Sequence, residues 1–220
     1  MKHDGLPAAI AIDGPAASGK STVGQTLAAR HGYRFLDTGL MYRAFTLAAL
    51  RAGVAASDPG ACTALAETIA MTVAAGTETR IFLDAEDVTD RLRDADVEAN
   101  VSAYSAIAAV REVMVRRQRA IAAEGRAVLA GRDIGTVVLP GAGLKIYLDA
   151  SEEARARRRG LQAADTRLAS ANVTERDRID SGRTTSPLRP AEDAVVIDTT
   201  DLTLDEVLDR VEKELRCASS

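Results

Sequence analysis

Features typical of secreted and membrane proteins are scarce in this sequence. Cysteine occurs only at Cys62 and Cys217, far apart and in no C-x-x-C pattern, so we expect free thiols in a reducing compartment. No apolar run approaches about 18 residues, and no charged segment leads into an apolar one, which argues against a membrane or secretory route. We therefore expect a cytoplasmic protein with no membrane partner.

Positive charge is also not in excess. The 28 Lys and Arg residues stand against 32 Asp and Glu, a formal net charge of −4, so the surface as a whole is not built for nucleic acid. Lysine itself occurs only at positions 2, 20, 145 and 213, and arginine supplies the other cations. Arginine grips phosphate and carboxylate with a planar fork, but codon usage alone can produce this enrichment, so each arginine must be judged by its own context.

Apolar runs and helical patterns alternate along the 220 residues. Short continuous apolar runs predict strands covered on both faces at residues 8–12, 33–36, 127–130, 144–148 and 194–197. Helical patterns lie at residues 21–31, 40–52, 97–124, 151–162 and 204–215. The last begins with a capping signal, Thr203 followed by Glu206. This alternation predicts an α/β fold with a parallel five-stranded sheet flanked by helices, in one domain of residues 1–220.

Two regions interrupt the alternation. Residues 57–96 open with a turn or helix-start signal, Ser57 to Gly60, and continue with strand-like pieces at 71–73, 80–84 and 86–88, with a hairpin turn at 76–78. We interpret them as a small inserted subdomain. Residues 155–189 are rich in arginine, which fits either a solvated helical surface or a lid that brings arginines onto phosphates, at about 158–185. We favour the lid because the same chain carries a phosphate-binding motif.

That motif is GPAASGKS at residues 14–21, which matches the phosphate loop G-x-x-x-x-G-K-[ST] between a predicted strand and a predicted helix. Its glycines let backbone N–H groups approach phosphate oxygens, and the helix N-terminus adds a positive dipole end. Lys20 is expected at the β- and γ-phosphates and the Ser21 hydroxyl on Mg²⁺, while Asp13 either orients the loop or supports the metal. A glycine-rich turn that merely joins strand to helix is the alternative.

Several classes of phosphate-loop protein fit poorly. Switch GTPases need an N-K-x-D guanine reader, but asparagine occurs only at Asn100 and Asn172, and neither precedes lysine. Motor-type ATPases use an apolar strand that ends in Asp, as residues 144–149 do, yet this chain is short for a motor. A small kinase fits better, since it needs a phosphate loop, an acceptor pocket and a lid that excludes water.

Four further segments resemble those of bacterial cytidylate kinases (CMP kinases). Residues 37–43 (DTGLMYR) are similar to the family's D-[ST]-G-x-x-Y-R segment, with Leu40 where alanine is common. Residues 131–138 (GRDIGTVV) with Pro140 are similar to G-R-D-x-G-T-V-V-x-P. Residues 175–183 (ERDRIDSGR) with Pro187 and Leu188 are similar to the lid segment, and residues 110–112 (VRE) also match. The matches come in family order and span nearly the whole chain.

The resemblance implies transfer of the γ-phosphoryl group of ATP to CMP or dCMP, with Mg²⁺, in a parallel α/β phosphate-loop fold that has a nucleotide-side insert and an arginine-rich lid. The residues it places at the acceptor nucleotide are Thr38, Tyr42, Arg43, Ser102, Arg111, Arg132, Asp133, Arg176, Asp180 and Arg183. At ATP, it adds Arg158 and Arg159 to the loop residues Gly14, Pro15, Ala16, Ala17, Ser18, Gly19, Lys20, Ser21 and Thr22. Catalysis is expected from Lys20, Arg132, Arg176 and Arg183.

Within that set, Ser102, Arg111 and Asp133 are implied to face the base. An Asp carboxylate accepts from the cytosine N4 amino group, where uracil carries a carbonyl, so such a pocket favours CMP and dCMP over UMP. Asp133 could instead cap a turn, and Arg116, Arg117 and Arg119 fit a solvated helix face. The rival functions are a shikimate or dephospho-coenzyme A type kinase and a non-catalytic nucleotide-binding module. We expect a monomer whose partners are small molecules only.

Overall fold

The computed structural model describes residues 5–160, 182 and 188–218. The strands are β1 (Ala9–Asp13), β2 (Arg34–Asp37), β3 (Met71–Ala75), β4 (Thr79–Leu83), β5 (Glu86–Asp87), β6 (Ala127–Gly131), β7 (Leu144–Asp149) and β8 (Val195–Asp198). The α-helices are α1 (Lys20–His31), α2 (Thr38–Arg51), α3 (Pro59–Thr68), α4 (Ala95–Ser105), α5 (Ala108–Ala123), α6 (Glu152–Gly160) and α7 (Leu204–Cys217). A 3₁₀ turn spans Thr89–Arg93 and a π turn spans Ile134–Val138.

The central sheet has five strands in the order β2-β6-β1-β7-β8, and every pairing in it is parallel. The predicted α/β class is therefore confirmed, and each predicted strand lies within a residue or two of its position in the structure. In the register of the sheet, Asp13 at the end of β1 stands opposite Gly131 on one side and Tyr147 on the other. The loops that leave β1 and β6 consequently start side by side at the carboxyl edge.

Helices cover both faces of this sheet, as the continuous apolar runs require. One face of β1 presents Ile10 and Ile12, which pack in a cluster with Leu27 of α1 and Val211 of α7. The alternate residue, Ala11, belongs to the cluster on the opposite face, with the residues of α2 and α5. Helix α7 begins with the predicted capping box, in which the Thr203 hydroxyl accepts from the Glu206 N–H and the Glu206 carboxylate accepts from the Thr203 N–H.

The inserted region contains α3 and an antiparallel sheet of β3, β4 and β5. Ala75 stands opposite Thr79, so the predicted hairpin turn at 76–78 is confirmed. The apolar residues Cys62, Ile81 and Leu92 of this region are buried in the same cluster as residues of α2 and α5. This shared core supports our proposal that residues 57–96 are an insert within one domain.

The prediction of one helix over residues 97–124 is wrong, because α4 and α5 are separate. Ile107 has extended backbone (φ −69°, ψ 114°) and so breaks the helical path between them. The Ser105 hydroxyl donates to the Ser102 carbonyl, a side-chain bond of the kind that competes with helix continuation. Across this break, the Ser105 carbonyl accepts from Arg111 of α5 (3.4 Å).

None of the helices in the described part of the chain is both long enough and apolar enough to span a bilayer. The predicted helix at 151–162 is present as α6 up to Gly160. Most of the expected lid, about 158–185, falls outside the described residues.

Candidate active site

The phosphate loop connects β1 to α1 and begins at a glycine position that has no room for a side chain. Gly14 has φ +148°, and a Cβ there would lie 2.1 Å from the carbonyl oxygen of Leu148 on β7. Ala17 (φ 59°) and Gly19 (φ 96°) are left-handed. Successive residues that alternate in this way turn their N–H groups toward one concave side, which makes an anion-binding nest.

Lys20, the first residue of α1, closes the mouth of this nest. Its buried ammonium donates to the Pro15 carbonyl (2.6 Å) and to the Ser18 hydroxyl (3.3 Å). A fixed cation at a helix N-terminus, beside backbone N–H groups, is the electrostatic environment that a polyphosphate needs. The predicted loop residues 14–22 therefore lie together at the N-terminus of α1.

Ser21 shares its hydroxyl with a carboxylate that the sequence analysis did not assign. The Ser21 Oγ donates to Asp37 Oδ2 (2.7 Å), while Asp37 Oδ1 caps α2 by accepting from the Gly39 N–H (3.0 Å). These oxygens fit Mg²⁺, which prefers one or two protein oxygens together with substrate phosphates. Within the described ranges no cluster of three or more His, Cys, Asp or Glu could hold a metal by itself.

Asp13 ties the phosphate loop to the loop that follows β6. Its carboxylate oxygens accept from the N–H groups of Ile134 (2.8 Å) and Gly135 (2.7 Å). Burial raises the pKa of the Asp13 carboxyl to about 6, although both backbone hydrogen bonds lower it. In the same loop, Arg132 donates to the Gly14 carbonyl (2.9 Å). Asp13 therefore orients the loop, one of its two predicted roles.

Three predicted acceptor-side residues meet on the other side of the β6 loop. Asp133 forms an ion pair with Arg111, and both side chains are almost fully buried. The Arg111 guanidinium carbon lies 5.3 Å from the centre of the Tyr42 ring, at cation–π distance. Ser102, partly exposed, sits one turn before Ser105, whose carbonyl accepts from Arg111. Side chains of α2, α5 and the β6 loop, with the Ser105 carbonyl of α4, thus form one polar cluster, which we call the pocket.

Thr38, the first residue of α2, is bound through its hydroxyl to the end of β6. The Thr38 Oγ1 donates to the Ala130 carbonyl (2.9 Å) at the end of β6. A Cβ on the next residue, Gly131, would lie 2.7 Å from Thr38 Oγ1 and 2.6 Å from Ile134 Cδ1. The G-R-D segment therefore begins with glycine because three elements pack closely at that point.

Arg43 lies further along α2 and pairs with Glu98 of α4. One guanidinium nitrogen of Arg43 is 2.6 Å from Glu98 Oε1 and donates to the Leu92 carbonyl (3.1 Å). The same Glu98 oxygen accepts from Arg159 of α6 at 2.8 Å. The described contact of Arg159 is therefore with α4 and not with the phosphate loop.

Arg158, its neighbour in sequence, turns toward the carboxyl edge of the sheet. It donates to the hydroxyl (2.9 Å) and the carbonyl of Thr199. The Thr199 hydroxyl donates to the Asp149 carbonyl (2.9 Å) and lies 3.5 Å from the Ser18 carbonyl of the phosphate loop. A third arginine of α6, Arg155, is buried and donates to the Ala16 carbonyl (3.4 Å). Sequence reasoning missed Arg155, although its place one turn before Arg158 on the same helix is a signal for it.

The remaining predicted residues belong to the expected lid and to α5. Arg176, Asp180 and Arg183 lie outside the described residues. Arg116 forms an exposed ion pair with Glu67, as a solvated helix face predicts. Arg117 and Arg119 bind backbone carbonyls instead, of Ala66 and Ile69 and of Val137 and Val138 respectively, so they hold α5 against α3 and the π turn.

Comparison with known proteins agrees with this arrangement. A family model described as cytidylate kinase matches residues 10–216. The chain is 48% identical to a cytidylate kinase of Nocardia farcinica, over 97% of this chain and 95% of that protein. It is 45% identical to a cytidylate kinase of Limosilactobacillus fermentum, over 94% of this chain and 96% of that protein.

The chain belongs to the cytidylate kinase family. The resemblance drawn from the sequence motifs is thereby confirmed. A solved structure of an uncharacterized protein from Eubacterium ventriosum covers 95% of this chain and 98% of its own, with a TM-score of 0.50 and 13% identity. At that identity the likeness shows the fold alone.

The raised pKa of Asp13 predicts an unusual pH dependence of stability. The folded protein holds this proton more tightly than the unfolded chain (pKa about 6 against 3.8), so protonation favours folding and the gain is lost as pH rises through about 6. Two pKa units correspond to roughly 3 kcal/mol. We expect the unfolding free energy of the wild type, relative to Asp13→Asn, to fall by roughly 2 to 3 kcal/mol between about pH 4 and about pH 7.

Asp198→Asn is the matched control for that measurement. Asp198 also ends a strand, but hydrogen bonds from the Thr200 hydroxyl and N–H lower its pKa, so its contribution is lost only toward lower pH. The difference in unfolding free energy between Asp198→Asn and the wild type should stay constant between about pH 5 and about pH 7. Urea denaturation across this range measures both. A level difference for Asp13→Asn as well would contradict the assignment of a buried, reluctantly ionised carboxyl.

Proposed function

We propose that this protein transfers the γ-phosphoryl group of ATP to CMP or dCMP, giving ADP and CDP or dCDP. One observation carries the proposal beyond family membership: Arg132 and Asp133 are consecutive, yet the first binds the phosphate loop and the second the buried pocket. Donor and acceptor sites therefore adjoin at a single peptide unit. Phosphoryl transfer needs that adjacency, because attacking and leaving oxygens must lie in line.

On the donor side, the loop N–H groups and Lys20 hold the β- and γ-phosphates. The Ser21 hydroxyl and, beside it, the Asp37 carboxylate are the oxygens that would hold Mg²⁺, and the ion would supply positive charge to offset that of the phosphates. In this proposal Arg158 reaches the ATP phosphates from its position against Thr199. Arg159 can join it only if its ion pair with Glu98 opens.

On the acceptor side, Asp133 accepts from the cytosine N4 amino group, while Arg111 and Ser102 donate to N3 and O2. The ion pair with Arg111 fixes the orientation of the buried Asp133 carboxylate. Thr38 and Tyr42 line the site, and Arg43 and Arg132 hold the phosphate dianion. Arg176 and Arg183, outside the described residues, are proposed to add charge at the transferring group, and Asp180 to bind the sugar.

No protein base is required in this reaction, since the acceptor phosphate is already ionised at neutral pH. The chain's own residues position two anions and offset their repulsion, which is the main source of catalysis in phosphoryl transfer. We further propose that the enzyme works as a cytoplasmic monomer with small molecules as its only partners. The acidic net charge and the free state of Cys62 and Cys217 support this part of the proposal.

The first test is ADP formation from ATP and Mg²⁺ with CMP, dCMP, UMP, AMP, GMP or shikimate offered separately. We expect strong turnover with CMP and dCMP, weak turnover with UMP and none with the others. Lys20→Ala should lower CMP-dependent turnover at least about 100-fold, since a fixed charge at the transferring phosphate is lost. Lys213→Ala, which removes an exposed lysine from α7, should change nothing.

Each contrary result has a distinct meaning. Turnover with a different acceptor alone would show that the protein is a kinase, but it would contradict the assignment of the pocket to cytosine. Near-normal turnover in Lys20→Ala would overturn the phosphate-loop assignment. ATP binding with no acceptor-dependent turnover in the wild type would favour the non-catalytic module.

A second prediction concerns base selection. Asp133→Asn should lower kcat/KM for CMP by about 10-fold or more, and that for UMP by less, because an amide can donate to the uracil carbonyl while a carboxylate cannot. The CMP-to-UMP ratio should therefore shrink. This ratio is independent of how much enzyme is folded, which matters because removing one partner of a buried ion pair destabilises a protein.

Asp193→Asn provides the control for that variant. It breaks a different ion pair, with Lys145, whose carboxylate side is largely exposed. The control should leave the ratio unchanged. An unchanged ratio in Asp133→Asn, measured by steady-state kinetics with both acceptors, would remove Asp133 from the base pocket.

A further inference from the structure

Glu98 is bound to Arg43, the arginine that is proposed to bind the phosphate of the acceptor nucleotide. Its Oε1 atom receives both a guanidinium nitrogen of Arg43 (2.6 Å) and one of Arg159 (2.8 Å). The three side chains are 7%, 18% and 23% exposed for Arg43, Glu98 and Arg159. A carboxylate and a phosphate both bind arginine through paired oxygens, so each can replace the other on the same guanidinium.

We infer that the Glu98 carboxylate is a built-in competitor of the acceptor phosphate for Arg43. This inference rests on the proposed function, in which Arg43 binds the phosphate of the nucleoside monophosphate. Binding of that phosphate then exchanges one anion for another on Arg43. The enzyme keeps a buried arginine paired before substrate arrives, which avoids the cost of an uncompensated charge.

The second arginine makes the exchange feasible. A buried carboxylate that lost its only cation would remain charged without a partner, and this free-energy cost would oppose substrate binding. Here the oxygen that leaves Arg43 already accepts from Arg159, so Glu98 retains a described partner after the exchange. The Leu92 carbonyl likewise keeps the Arg43 guanidinium in place while its anion changes. Glu98 is thus a positioning residue for Arg43 and sets how tightly the acceptor phosphate binds.

Glu98→Gln tests the competition because it keeps the shape of the side chain and removes its charge. In titration calorimetry without ATP, CMP should bind the variant roughly five-fold more tightly than the wild type, since a charge-assisted contact no longer opposes it. Cytidine, which lacks the phosphate, should bind both proteins equally. A merely structural role for Glu98 would alter the affinity for CMP and cytidine together.

Glu67→Gln is the matched control, because it removes a carboxylate that also pairs with an arginine, Arg116, but away from the pocket. Its CMP affinity should equal that of the wild type. If Glu98→Gln binds CMP as the wild type does, or more weakly, the competition is refuted. Glu98→Ala should show the same gain for CMP, and thermal unfolding identifies any variant that fails to fold.

A double-mutant cycle separates the role of Arg159. With Glu98 present, Arg159→Gln removes a partner that receives the displaced carboxylate, so CMP should bind more weakly. In the Glu98→Gln background the same change should have no effect on CMP binding. A loss of equal size in both backgrounds would overturn the exchange and show direct contact with the substrate. Absence of CMP turnover in the wild type refutes the proposed function instead, whatever the variants do.

Discussion

The carboxylate of Asp13 accepts hydrogen bonds from the N–H groups of Ile134 and Gly135, and the geometry of the whole site depends on this contact. Parallel pairing of β1 with β6 brings Asp13 opposite Gly131, so the two loops start level with each other. The carboxylate then fixes the second loop relative to the first. Burial raises the pKa of this carboxyl, and the two backbone hydrogen bonds that make the connection oppose that effect.

Charge pairing is the second organising feature. Several described arginines of the site already have a partner within the protein: Arg111 binds Asp133, Arg43 binds Glu98, and Arg132 binds the Gly14 carbonyl. In the proposed function, such contacts hold cations in place for the phosphates that arrive with the substrates. Preorganised charge of this kind needs little rearrangement during phosphoryl transfer, which is why it is effective in catalysis. The abundance of arginine in the sequence acquires a function only through these individual positions.

The sequence predicts those parts of the molecule that depend on neighbours along the chain. The sheet strands, the phosphate loop, the hairpin at 76–78 and the capping box of α7 all follow from local pattern, and the structure contains them. Motif resemblance adds the pocket of Tyr42, Arg111 and Asp133, and these residues do meet.

Contacts between distant segments could not be predicted in the same way. At the break between α4 and α5, the Ser105 hydroxyl donates to the Ser102 carbonyl and Arg111 donates to the Ser105 carbonyl. The spacing of apolar residues carries no sign of either contact. Asp37 was not assigned, since its role combines a helix cap with a bond to Ser21, 16 residues away. The pairing of Arg159 with Glu98 joins residues 61 positions apart, whereas the family resemblance grouped Arg159 with Arg158 at ATP.

The central claim is that the phosphate loop and the buried pocket form one continuous site for two nucleotides. Binding of a bisubstrate analogue, in which adenosine and cytidine are joined through five phosphates, tests this most directly. If both sites are engaged at once, the analogue should bind at least about 100-fold more tightly than ATP or CMP and should be displaced by either. An analogue that binds no more tightly than ATP, and that CMP does not displace, would contradict the account.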